Sequence, residues 1–176
     1  MWYVTPTNGA MVLIGDGMAN PGQIGLLFSL FSVAGFICAV IFGQLFKVLK
    51  TNLMFISYLL AAIGLYVQYM GHTITVYMLG MIIAGFAMGF AVPSTMAKLS
   101  GLVPYSAGAK TISLGYFGMG AGGFLQPIVF ALFGPSGIGR PAFLIGAICL
   151  VVLTVLIFIV DKATPSKVAP APSVEA

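Results

Sequence analysis

Apolar positions gather into five long runs, 24–46, 53–69, 76–97, 111–133 and 142–160, separated by short polar turns. Each run has roughly the 17 to 25 residues that an α-helix needs to cross about 30 Å of hydrocarbon at 1.5 Å per residue. Residues 1–14 are too few to cross, yet the pair Trp2-Tyr3 and the run Met11-Val12-Leu13-Ile14 are membrane-like, and a turn-rich stretch from Gly15 to Gly22 follows. The pattern predicts an all-α integral membrane protein with five full transmembrane helices plus a partial one at the start. The partial helix reads as the outer end of a span whose beginning lies before Met1. It is not a secretory signal, because it has no basic start and contains Pro6, Asn8 and Gly9. Residues 163–176 are rich in Pro, Ala and Ser without an apolar period, and are expected to form a disordered tail.

The basic residues sort by side. Alternate turns place Lys47, Lys50, Lys98, Lys110, Lys162 and Lys167 on one face of the membrane and leave only Arg140 on the other. Such a bias predicts a cytoplasmic C-terminus, with the segment before Ile24 outside, and a plasma-membrane location. The apolar fraction of 60% against 6% charged residues lies far from the soluble norm of about 25% charged and excludes a water-soluble core. A pI near 9.2 could suggest nucleic acid, but the lysines are scattered singly or in pairs, so they read as topology signals and no nucleic-acid partner is expected.

Chemistry-bearing residues are sparse. Cys38 and Cys149 sit in the middle of different apolar runs, where a thiol behaves as a small hydrophobe, and no disulfide or metal spacing is present. His72 stands alone in the turn Gly71-His72-Thr73 and is expected in solvent. Tyr69 and Tyr77 flank that turn as an expected aromatic belt. The run 24–46 holds 14 Leu, Ile, Val or Phe residues, worth roughly −4 to −8 kcal/mol of insertion, whereas one central Lys or Asp costs only about +2.5 to +3.5. Insertion would tolerate a charge, yet none of the five runs carries one in its core, so no intramembrane proton relay is expected in this chain. The runs contain no Ser/His pair, HExxH or paired carboxylates, which argues against an enzyme; no catalytic residue, metal or cofactor is expected.

In lipid, helices associate through close backbone approach at small residues. Ser32, Gly35, Ala39 and Gly43 form one such stripe, Gly85 and Gly89 with Pro93 a second, and Gly115, Gly118 and Gly122 a third, with Gln126 on the same face. Chance GxxxG pairs arise easily in a chain with 23 glycines, but three ordered stripes predict helix contacts. The short turns predict that consecutive helices are antiparallel neighbours.

The ordered segment Gly85-Phe-Ala-Met-Gly89-Phe-Ala-Val-Pro93, then Lys98, Val103-Pro104, Gly108-Ala109-Lys110 and a glycine-dense helix through Gly123 and Pro127 resembles helices ten and eleven of a major facilitator superfamily transporter. The resemblance covers residues 1–162 and implies the C-terminal bundle of a twelve-helix fold, from the end of helix seven through helix twelve. One departure stands in the turn after the first full run, where Lys47 occupies the place of the family's usual Asp, so an acidic gating contact is not expected here.

The resemblance implies secondary transport of a small molecule by alternating access, with a second, N-terminal half as partner and no activity in the isolated chain. Its cavity-facing helices carry Gln126, Tyr116, Ser29, Ser32, Thr5 and Asn8 as candidate substrate contacts, each with interhelical hydrogen bonding or an interface position as its plainer reading. Gly35, Gly43, Gly85, Gly89, Pro93, Gly115, Gly118, Gly122 and Pro127 are the expected packing or hinge positions. The neutral, aromatic and Met-rich surface favours amphipathic organic substrates over anions. The competing reading is a small five-span membrane protein that assembles with or regulates another membrane protein.

Overall fold

A computed structural model describes residues 3–50, 52–133 and 139–163. The described residues form six helices and no strand: α1 Val4–Gly15, α2 Pro21–Leu49, α3 Asn52–Met70, α4 Ile74–Gly101, α5 Tyr105–Ala131 and α6 Arg140–Ala163. Five of them, α2 to α6, are long and apolar enough to cross a membrane. The expected tail begins where α6 ends, and residues 164–176 lie outside the described residues.

A polar cap carries α2 past its apolar stretch. At the start of α2, Asn20 accepts from the Gln23 amide at 2.9 Å, while its own amide donates to the Gln23 side chain at 3.0 Å. Pro21 occupies the first turn, where a missing N–H costs nothing, so the membrane span begins three residues before its apolar run. The turn ahead of it contains Gly17 at φ +64°, a backbone region open to glycine and unfavourable for most side chains.

Helix order in space differs from helix order in the chain. Helix α4 is the centre of the bundle and packs along α3 on one side and α2 on the other, while α6 lies on α3. The expectation that consecutive helices are neighbours therefore fails for α2 and α3, which barely meet, and for α5 and α6, which do not pack along each other. Backbone approach explains why. A Cβ added to Gly85 would strike the Phe31 carbonyl oxygen and come within 3.0 Å of the Ala34 Cβ, and one on Gly89 would strike the Gly35 carbonyl and lie 2.6 Å from the Cys38 Cβ. On the opposite side of α4, a Cβ on Gly80 would lie 2.8 Å from the Gln68 amide nitrogen, and one on Gly64 of α3 would lie 2.8 Å from that of Ala84. Two glycine faces on one helix let two neighbours approach it at once.

The glycines of the expected stripes divide into two sets. Gly35, Gly85 and Gly89 form the α2–α4 seam, and Gly115 packs on Met96 and Leu99 of α4. Gly43, Gly118 and Gly122, by contrast, have nothing within reach of an added Cβ and belong to no seam among the described residues. In α5 it is Gly123, beside Tyr3, that takes the close contact expected of Gly122.

Tyr77 is also corrected. It is fully buried, edge-on to Phe143 with ring centroids 5.8 Å apart, and belongs to the core cluster with Val4, Leu13 and Leu65 instead of an interfacial belt. Tyr69 is half-buried against the same cluster, and His72 is exposed as expected.

The lysine sidedness makes a testable statement about orientation. Single cysteines at Lys50 or Lys110, in a background lacking Cys38 and Cys149, are expected to escape an impermeant thiol reagent in intact cells, and one at Thr73 to react. The reverse labelling pattern would invert the topology.

Candidate functional site

Three groups of polar side chains bear on the candidate site. The first is a buried node. Thr5 of α1 is 1% exposed and donates to the Gln68 side-chain oxygen at 3.1 Å, while the Gln68 amide donates to the carbonyls of Gly64 and Gly80 at 3.3 and 3.4 Å. Gln68 is itself fully buried. Every hydrogen-bonding end of this node points at protein, so Thr5, a candidate substrate contact in the sequence, serves here to join α1, α3 and α4. Sequence reasoning missed Gln68, although a glutamine in the middle of an apolar run was visible.

The second group lies between α1 and α5. Thr7, Asn8, Met11, Gln126, Pro127 and Phe130 line a groove of about 330 Å³. The Gln126 amide nitrogen donates to the Thr7 hydroxyl at 3.2 Å, the Asn8 amide nitrogen donates to the same hydroxyl at 3.3 Å, and Thr7 donates its own proton to the Tyr3 carbonyl at 2.6 Å. The backbone N–H of Gly139, a residue at φ +74° in the turn before α6, donates to the Asn8 side-chain oxygen at 3.4 Å. The structure therefore brings together two of the predicted contacts, Asn8 and Gln126, from positions 118 apart in the chain.

A larger groove of about 470 Å³ runs between α2 and α4, with Ser32, Gly35, Gly85, Gly89, Pro93 and Tyr116 on its walls. Ser32 and Tyr116, two more predicted contacts, meet here. The Ser32 hydroxyl already donates to the Phe28 carbonyl at 2.9 Å, which leaves its oxygen as an acceptor toward the groove. Tyr116 is 55% exposed. Ser29 is not brought to either groove; it is exposed and donates to the Gly25 carbonyl at 2.9 Å within its own helix. Of the five spans, α2 and α5 are the least covered by the other described residues.

The six-helix arrangement, the five spans and the glycine seams are the geometry against which known families can be compared. The sequence model of the Major Facilitator Superfamily matches residues 1–176. The chain belongs to the Major Facilitator Superfamily. Its members are membrane transporters, and this chain is accordingly a multi-pass membrane protein of the transporter class. No curated protein and no solved structure matches it.

Among the described residues, four charged side chains near helix ends form two ion pairs that the sequence did not reveal. At one end Arg140, the first residue of α6, donates from Nε to the Asp16 carboxylate at 3.1 Å and pairs with it again through a terminal guanidinium nitrogen. Its other terminal nitrogen donates to the carbonyls of Tyr69 and Gly71 at 3.2 and 2.6 Å. One side chain thereby fastens the α1–α2 turn and the α3–α4 turn to α6. At the other end Lys98 of α4 meets Asp161 of α6 at 2.6 Å and lies 5.2 Å from the centre of the Phe55 ring of α3. Phe55 in turn stands edge-on to Phe158 at 5.4 Å.

The partners of Arg140 differ in what they lose without it. The Asp16 side chain is 42% exposed and returns to water, whereas the buried Gly71 and half-buried Tyr69 carbonyls lose their donors. Arg140→Ala is therefore expected to lower stability in detergent by about 1 to 3 kcal/mol and Asp16→Ala by less than about 1 kcal/mol. Equal losses in thermal unfolding would show that the ion pair, and not the carbonyl contacts, holds the end of the bundle.

Proposed function

We propose that this chain is the C-terminal six-helix half of a secondary transporter, with α1 as the end of helix seven and α2 to α6 as helices eight to twelve. It works by alternating access together with an N-terminal half, in the plasma membrane, with its C-terminus in the cytoplasm. The observation that carries the reading is the placement of the polar grooves. Ser32 and Tyr116 line the groove between α2 and α4, Asn8 and Gln126 line the groove between α1 and α5, and α2 and α5 are the spans least covered by protein among the described residues. Rocking of two bundles about a site between them is the general mode of this superfamily, and it requires a sparsely covered face on each half.

Two features agree with that role. The seams of α4 with α2 and α3 are tight enough for these helices to move as one body, while α5 meets α4 far less and is the least covered span. The transmembrane cores carry no charge, so any proton or ion coupling belongs to the other half. The test is uptake or efflux by cells producing this chain with and without a matching N-terminal half. Saturable transport is expected only when both are present, and the competing small-protein reading predicts no transport in either case.

A further inference from the structure

The groove between α1 and α5 has a hydrogen-bonding polarity that its own network dictates. The Gly139 N–H can only donate, so the Asn8 oxygen must face it, and the Asn8 nitrogen must then face Thr7. The proton of Thr7 is committed to the Tyr3 carbonyl, so its hydroxyl oxygen can only accept from Gln126. The Gln126 nitrogen therefore turns toward Thr7 and its oxygen turns away, fixed without reference to any ligand. That oxygen is closed off from solvent, on a side chain 4% exposed, and among the described residues no donor reaches it. A buried acceptor left unmatched is costly, and most such groups in folded proteins are matched.

Charge narrows what could match it. No charged residue lines the groove, and the nearest end of the bundle presents Asp16 and Arg140 already paired with each other. Met11, Pro127 and Phe130 supply the remaining wall, which is apolar. A full charge brought there would be desolvated without a counter-charge, whereas a neutral N–H or O–H would satisfy the oxygen at little cost. The seam can also open, because α5 is the least covered span and touches α1 through few side chains.

We infer that the α1–α5 groove, once the seam between these helices opens to expose the Gln126 side-chain oxygen, binds an uncharged organic substrate through an N–H or O–H group donated to that oxygen, with the substrate's apolar part against Met11 and Phe130. The inference rests on the transporter reading for the claim that the ligand is the transported molecule. The binding itself does not depend on it.

The experiment uses two probes of nearly equal shape, benzamide and N,N-dimethylbenzamide, of which only the first can donate. Their dissociation constants are measured by ligand-observed NMR on the full chain in lipid nanodiscs. Benzamide is expected to bind at least about tenfold more tightly, the effect of meeting an otherwise unmatched acceptor. Gln126→Leu, or Gln126→Met if the leucine variant does not accumulate, is expected to bring the ratio close to one. Equal affinities in the unaltered chain, no saturable binding of either probe, or a preference that survives both substitutions would overturn the inference. Donor preference in nanodiscs without transport by the paired halves would leave the groove standing and remove the transporter reading. Transport without donor preference would do the opposite.

Discussion

Gly89→Ala is expected to destabilise the bundle, and Gly118→Ala to leave it unchanged or slightly more stable, although both replace a glycine in a predicted stripe with the smallest side chain that has a Cβ. At Gly89 the new methyl meets the Gly35 carbonyl oxygen and the Cys38 Cβ, so α2 must move as a whole. At Gly118 it meets nothing, and an alanine in a helix is favoured over glycine by about 1 kcal/mol. The larger changes follow the same logic. Gly85→Leu drives a branched side chain into the Phe31 backbone, where rotamer changes in a neighbour cannot relieve the clash. Overpacking commonly costs about 1 to 3 kcal/mol, and a backbone obstacle puts this variant at or above the upper end, roughly a hundredfold in the folded fraction. Thermal unfolding and yield of monodisperse protein in detergent decide it. Comparable behaviour of Gly85→Leu and Gly118→Leu would mean that the α2–α4 seam does not exist.

Reconstituted by itself in liposomes, the chain is expected to show no saturable movement of lipophilic cations, sugars or organic acids. Half of the walls that alternating access needs would come from a second bundle. Co-expression with a matching N-terminal half is expected to restore movement of one substrate class, an all-or-none change. In that pair, Gln126→Leu should weaken apparent affinity, raising KM by about tenfold with a smaller effect on expression, because it removes a hydrogen bond and no packing seam. Saturable transport by the isolated chain would sink the half-transporter reading and point to an oligomeric carrier built from this chain alone.

The residues that line the two grooves carry signals visible in the sequence. Asn8, Ser32, Tyr116 and Gln126 stand out as polar or amphipathic side chains in apolar stretches, and each lines one of the two grooves. Thr5 carried the same signal and turned out to face Gln68, since a helix pattern specifies an angular position but not which neighbour fills it. Thr7, the hub of the α1–α5 groove, was overlooked because it lies one residue from Asn8 in a segment too short to show a period. The second small-residue face of α4, Gly80, Ala84, Ala87 and Ala91, was present at helical spacing beside the Gly85–Gly89 stripe. Reading two faces on one helix would have placed α4 at the centre.

The sequence by itself determined the solvent and the class of element. Twenty apolar residues in lipid must satisfy their backbone internally, which leaves the helix as the only answer for each run, and five runs with charges confined to the turns leave little freedom in how the chain threads the bilayer. Which helices touch was decided only in three dimensions. Every span is apolar on all sides, so hydrophobicity cannot say which face meets protein and which meets lipid. Backbone approach at Gly64, Gly80, Gly85 and Gly89 makes that choice. The pairing of Arg140 with Asp16, and of Lys98 with Asp161, follows from it, since residues 124 and 63 positions apart become neighbours only after α4 has gathered α2 and α3 around itself and α3 has drawn in α6.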